Sequence, residues 1–246
     1  MKKLVSLIAD YLFVPRCEGC YRRKSHIGIG LCEDCYNKYK DEREEFCDFC
    51  GMSAYVCRCI PKNLKDVGCR TYRKLIFYKK TEGSQAMRNM IYSVKRGHKK
   101  KLIEFFAEEL SKIDINTEYM SAIVSYAPRT AQALQEYGYD QGKLLAEHYA
   151  KCKSLEFKCL FKRVNNGLNY EQKLLNFKQR ASNIAGAFKL IRKDIRGRDI
   201  ILIDDVVTSG ATLGECARML YEAGANNVIC FSIAHTYRKN KSKNND

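Results

Sequence analysis

Residues 200–213 read IILIDDVVTSGATL, and no other stretch of the chain restricts its fold so tightly. Four consecutive large apolar residues suit a strand covered on both faces, which points to the interior of a parallel sheet with helices on either side. Two adjacent aspartates follow. Like charges at the end of a buried run are costly unless something there uses them. In open parallel sheets, ligands bind beyond the carboxyl ends of the strands. Asp204 and Asp205 are thus candidates to accept hydrogen bonds from the vicinal hydroxyls of a ribose and to lie near the magnesium that accompanies a polyphosphate.

The next residues, Thr208, Ser209, Gly210, Ala211 and Thr212, lead into a helical pattern. A helix N-terminus offers unpaired backbone N–H groups and the positive end of the dipole, which together favour a phosphate. Gly210 allows a close approach, and the three hydroxyls can donate to phosphate oxygens. A simple helix cap would account for one hydroxyl but would leave the aspartate pair without purpose.

The flanking chain supplies the rest of such a sheet. Residues 69–80 (CRTYRKLIFYKK) read as a β segment, and 83–113 carry Met87, Ile91, Val94, Leu102, Phe105, Phe106 and Leu110 at mostly helical spacing. AIVSYAP at 122–128 is a buried strand ended by proline, followed by a helix through Leu134, Leu144, Leu145 and Tyr149. Residues 211–223 form a helix closed by Gly224, and NVICFSIAH at 227–235 is a third buried strand. Strands alternating with helices predict a parallel sheet flanked by helices, an α/β fold. The polar stretch from about 161 to 190 suits a movable flap over a site.

Residues 1–65 have a different texture, cysteine-rich with short polar links, so a domain boundary is expected there, with the α/β domain spanning 66–246. Cys17 with Cys20, Cys32 with Cys35, and Cys47 with Cys50 are C-x-x-C pairs, and Cys57 with Cys59 is C-x-C. Two such pairs close one tetrahedral Zn²⁺ site, so eight thiolates hold two structural zinc ions with no open position for chemistry. Iron–sulfur ligation is the alternative metal. Sequential pairing would give two small ribbons and interleaved pairing a cross-braced unit; the short links favour the sequential arrangement. The remaining five cysteines read as small buried hydrophobes.

Lys and Arg number 44 against 28 Asp and Glu, with dense runs at 70–80, 95–101, 192–198 and 238–243, so the surface either attracts polyanions or is simply a solvated basic face. Within 70–80, aromatics interleave with cations as in single-strand binders, and a half-buried β segment with a polar outer face reads equally well. The opening residues repeat Leu4, Ile8 and Leu12 at helical spacing with Asp10 between, which reads as an amphipathic helix and not a signal peptide. No run approaches the roughly 20 apolar residues of a membrane span. A soluble, cytoplasmic protein is expected.

IILIDDVVTSGAT resembles the phosphoribosyl diphosphate signature of type I phosphoribosyltransferases, and with the amino-terminal cysteine pairs the chain resembles the ComF family, in which a double zinc ribbon precedes a phosphoribosyltransferase domain. Two more segments match that family: YAPRTAQALQEYGYDQGKLLA at 126–146 and KRVNNGLNYEQKLLNFKQRASNIAGAF at 162–188, the latter with Gln172, Arg180 and Asn183. The resemblance implies that Arg129 meets the diphosphate and that 162–183 is a hood from which Arg163 and Arg180 reach phosphate. Many relatives carry Arg-Gly where this chain has Tyr137-Gly138, and the aspartate that some purine transferases place at the position of Thr208 is missing, so no general acid or base is assigned. The resemblance further implies a role in DNA uptake during natural transformation, with single-stranded DNA and uptake proteins as partners. An active phosphoribosyltransferase of nucleotide metabolism and a nucleotide-sensing regulator without catalysis are the alternatives.

Overall fold

The computed structural model describes residues 16–22, 28–78, 84–97, 99–114, 119, 121–164, 184, 186–192 and 194–236. Its strands are β1 (Thr71–Tyr78), β2 (Ile123–Tyr126), β3 (Glu156–Phe157), β4 (Phe161–Arg163), β5 (Phe188–Leu190), β6 (Ile200–Val207) and β7 (Val228–Thr236). Its helices are α1 (Glu33–Arg43), α2 (Lys62–Asp66), α3 (Gln85–Arg96), α4 (Lys100–Ser111), α5 (Ala131–Tyr137), α6 (Gln141–Lys153) and α7 (Ala211–Glu222). Five strands form one all-parallel sheet in the order β1-β7-β6-β2-β3, and β4 pairs with β5 in a separate antiparallel ribbon.

The period of two along each strand sends neighbouring residues to opposite layers. Ile201, Ile203, Ile229 and Phe231 pack with residues of α3, α4 and α6, whereas Ile200, Leu202, Val228 and Cys230 pack with α7 and the β4–β5 ribbon. Covered on both faces, the sheet explains why its strands read as unbroken apolar runs. This is the α/β arrangement expected from sequence, a parallel sheet flanked by helices.

Several expected elements come out differently. The long helical stretch over 83–113 is two helices, because the Gly97 amide closes α3 on the Ser93 carbonyl at 2.8 Å before α4 begins. β6 does not stop at Ile203. It runs on through both aspartates to Val207, because β7 keeps pairing with it at Ser232, Ala234 and His235, whereas its ladder with β2 ends at the Tyr126–Ile203 pair. The two ends of the expected flap are the paired strands β4 and β5, anchored by buried Phe161 and Phe188. The flap's middle, with Gln172, Arg180 and Asn183, lies outside the described residues, as does the amphipathic opening.

The cysteine-bearing segment packs on the sheet domain at two places. Tyr39 of α1 is fully buried against Phe105 and Phe106, its hydroxyl donates to Glu109 Oε2 at 2.9 Å, and the Arg43 guanidinium reaches the same oxygen at 2.6 Å. At the second place, Leu64 of α2 is buried in one cluster with Leu213 and Ala217 of α7. The boundary expected at 65/66 thus falls within α2.

Candidate functional site

The chain steps from β2 to β3 in one direction and from β6 to β7 in the other, so the β2/β6 border is the switch point where an open α/β sheet leaves a crevice. Asp205 stands on β6 just past the end of the β2 ladder and is 4% exposed. Its carboxylate accepts from the Gln141 side-chain amide at 2.9 Å and from the Val206 N–H at 2.7 Å, and Lys95 Nζ lies 3.8 Å away. Asp204 accepts from the Asp205 N–H at 2.8 Å. Burial, and after it the charge of Asp205, pushes the Asp204 carboxyl well above the usual carboxylate range. Gln141 and Lys95 meet part of the cost of the adjacent acids at Asp205.

Gln141 opens α6, whose N-cap is Asp140: that carboxylate accepts from the Lys143 N–H at 3.2 Å and from the Arg129 N–H at 3.0 Å. The Arg129 guanidinium donates to the Lys95 carbonyl at 2.8 Å and lies over the Tyr137 and Tyr139 rings. Arg129 thus grips the last turn of α3 and sets Lys95 beside Asp205. Its Nη1 and the Oε1 of Gln141 are buried with no hydrogen-bond partner among the described residues.

Downstream of β6, Gly210 occupies the N-cap of α7 with φ +78°. One hydroxyl, Ser209 Oγ, accepts from the Ala211 N–H at 3.4 Å, and among the described residues no other side chain caps the first turn. Thr208 is exposed, and Ser209, Ala211 and Thr212 are half-buried. Arg163 on β4 comes close enough to Asp204 to feel its charge while lying over the Phe188 ring; burial pulls its guanidinium below the usual range. Of the residues expected from sequence, Asp205 faces Gln141 and Lys95, with Arg129 behind Lys95, whereas Asp204, on the opposite face of β6, lies nearer Arg163, and residues 208–212 follow at the strand's carboxyl end. Lys95 and Gln141 were missed. Lys95 is one of a run of cations, and Gln141 sits in the matched 126–146 block without a mark of its own.

The cysteines form two sequential groups, Cys17, Cys20, Cys32 and Cys35, and Cys47, Cys50, Cys57 and Cys59, each with four sulfurs within 4.8 Å of one another. A tetrahedron of sulfurs about 2.3 Å from a Zn²⁺ ion has edges of about 3.8 Å. The Cys20–Cys32, Cys47–Cys59 and Cys50–Cys57 sulfurs stand 3.8, 4.0 and 3.6 Å apart. Gly19 is required by close approach: a Cβ there would lie 2.7 Å from the Cys35 sulfur. In the 70–80 stretch, Tyr72 and Phe77 are buried in the sheet and offer no open stacking surface. His235 contacts the Thr208 carbonyl at 3.3 Å, and burial followed by the charge of Lys74 holds it down to about 4, so it is neutral. Among the described residues, no helix is long and apolar enough to cross a membrane.

A phosphoribosyl transferase domain model matches residues 142–246. Competence protein F of Haemophilus influenzae is 30% identical over 100 residues, 39% of this chain and 43% of that protein, so the match spans less than half of its length. Competence protein ComFC of Streptococcus pneumoniae is 26% identical over 212 residues, covering 82% of this chain and 86% of that protein. DNA utilization protein YhgH of Escherichia coli K12 is 35% identical over 65 residues, 26% of this chain and 28% of that protein. Among solved structures, glutamine phosphoribosylpyrophosphate amidotransferase from B. subtilis overlaps at a TM-score of 0.36 and 16% identity, over 53% of this chain and 25% of that one.

Proposed function

We propose, for a chain that is a relative of ComF-type competence proteins and carries a phosphoribosyl transferase domain, that the crevice beside Asp205 binds phosphoribosyl diphosphate together with Mg²⁺ and that the protein acts on DNA taken up by the cell. The contact of Gln141 and Lys95 with Asp205 at the β2/β6 opening, next to the first turn of α7, carries this reading. Asp204 and Asp205 would hold the ribose hydroxyls. The turn from Thr208 through Thr212 would take the 5-phosphate on backbone amides and hydroxyls. Lys95, with Arg129 behind it and Arg163 and Arg180 from the hood segment, would face the diphosphate. When bound, magnesium supplies charge neutralisation for that diphosphate. Two Zn²⁺ ions fit the closed cysteine groups as structural metals. Thiolates used in this way suit a reducing compartment, so we place the protein in the cytoplasm.

Isothermal calorimetry of the full chain with phosphoribosyl diphosphate and Mg²⁺ tests the site. Saturable binding that is lost in the Asp204→Asn, Asp205→Asn double variant is expected. Equal binding by that variant removes the assignment. Adding a panel of bases and following diphosphate release separates transfer from binding alone.

A further inference from the structure

Lys74 lies in the middle of β1 and is fully buried. Its Nζ stands 3.4 Å from the Cys57 carbonyl and 4.9 and 5.5 Å from the centres of the Phe77 and Tyr72 rings. Among the described residues no carboxylate pairs with it, and no Asp or Glu lines the space beside it. One carbonyl and two ring faces offset only part of the cost of taking an ammonium out of water. A cation held this way calls for an anion.

The anion is supplied by the second cysteine group. Cys47 and Cys57 are buried in one cluster with Phe77, three residues beyond Lys74 on the same strand, and Cys59 packs against that cluster. Cys57, whose carbonyl Lys74 meets, carries one of the four sulfurs. Four thiolates around one divalent zinc leave a dianion.

The two groups meet that charge differently. In the first, the Cys17 sulfur accepts the Gly19 and Cys32 amides at 3.3 and 3.2 Å, and exposed Arg22 lies against Cys20. In the second, the Cys57 sulfur accepts the Cys59 amide at 3.5 Å. Arg58, set between two of the ligands, is exposed, so water and salt screen its charge. Lys74 is shielded from that screening, so its attraction for the group is the stronger.

We infer that Lys74 is the counter-ion of the second zinc group: a buried ammonium on the sheet domain that neutralises one charge of the dianion, holds its ion and ties the cysteine-bearing segment to β1. Lysine and metal answer each other. Removing zinc leaves Lys74 buried without an anion, and removing Lys74 leaves the dianion uncompensated. The inference rests on the reading of the cysteine groups as zinc sites and is independent of the sugar–phosphate crevice.

Competition of the zinc-loaded full chain with a chelating dye, read beside thermal melting with and without metal, tests this. Lys74→Met keeps the length and removes the charge; Lys74→Gln also keeps a donor for the Cys57 carbonyl. In both, affinity for one of the two ions is expected to fall about tenfold, the scale seen when an outer partner of a metal site is lost, with the other ion held as in wild type. Alkylation of the cysteines freed at partial chelation, located by peptide mass mapping, should find Cys47, Cys50, Cys57 and Cys59 first. With zinc removed, the variants should melt no lower than wild type, because the wild-type chain then keeps a cation without its anion. A packing role alone would lower melting equally with and without zinc. That equal lowering, wild-type zinc affinity in Lys74→Gln, or first release at Cys17 to Cys35 overturns the inference. A wild-type chain that binds fewer than two zinc ions overturns the zinc reading itself, and the counter-ion with it.

Discussion

Gln141 donates its side-chain amide to Asp205 at 2.9 Å, joining the first residue of α6 to β6 across the point where β2 stops. A buried carboxylate deprived of such a donor keeps its desolvation cost, about 1–3 kcal/mol. Gln141→Ala is therefore expected to lower Tm by several degrees and to weaken phosphoribosyl diphosphate binding, with circular dichroism showing the fold retained. Unchanged Tm and affinity would mean that this amide does not support Asp205.

Asp204 gives a pH signature. Its carboxyl is raised above its ordinary value of 3.8 by burial and by Asp205, so the folded state binds a proton that the unfolded chain releases. Stability from this group is fully present below about pH 4 and is lost as pH rises through the raised value. Asp204→Asn mimics the neutral acid, so the ligand-free variant should melt higher than wild type at pH 7, with the gap closing as pH approaches 4. Melting curves at several pH values check this, and a gap that does not shrink on acidification would contradict it.

Glu109 is 3% exposed and accepts from both Tyr39 and Arg43, with Lys112 Nζ at 2.5 Å. Removing one partner of a largely buried pair leaves the other's charge uncompensated. With Arg43 partly exposed, a loss of about 2–3 kcal/mol is expected for Glu109→Ala. Limited proteolysis should then cut within 30–60 before the sheet domain is attacked. Simultaneous loss of both would show that α1 is not held separately by this contact.

Gly19→Ala forces a methyl to within 2.7 Å of the Cys35 sulfur, whereas Gly28→Ala meets nothing within 4 Å. Elemental analysis should find about one zinc per chain in the first variant and two in the second and in the wild type. Full zinc content in Gly19→Ala would show that the first group tolerates displacement.

The strands and most helices were legible because burial on both faces leaves apolar runs, and Gly210 and Gly224 mark real ends; the break at Gly97 was not read. The extension of β6 through Asp204 and Asp205 was not legible, since it depends on how far β7 runs alongside. The aspartate pair and the glycine turn were found from local chemistry alone. Lys95 and Gln141 were not, because each acquires its role from Asp205, distant in sequence. Sequential cysteine grouping was favoured by short links, and the sulfur positions now select it.

A Cβ on Gly214 of α7 would stand 2.8 Å from the Asn63 carbonyl, and one on Gly210 would stand 3.0 Å from Pro61. The strip just after Cys59 is thus a lid pressed directly on the helix that begins at Gly210. Trimming the protein at residue 66 would strip that helix of its outer covering and leave Leu213 facing water, so the cysteine-bearing segment and the sheet domain are expected to melt as one piece.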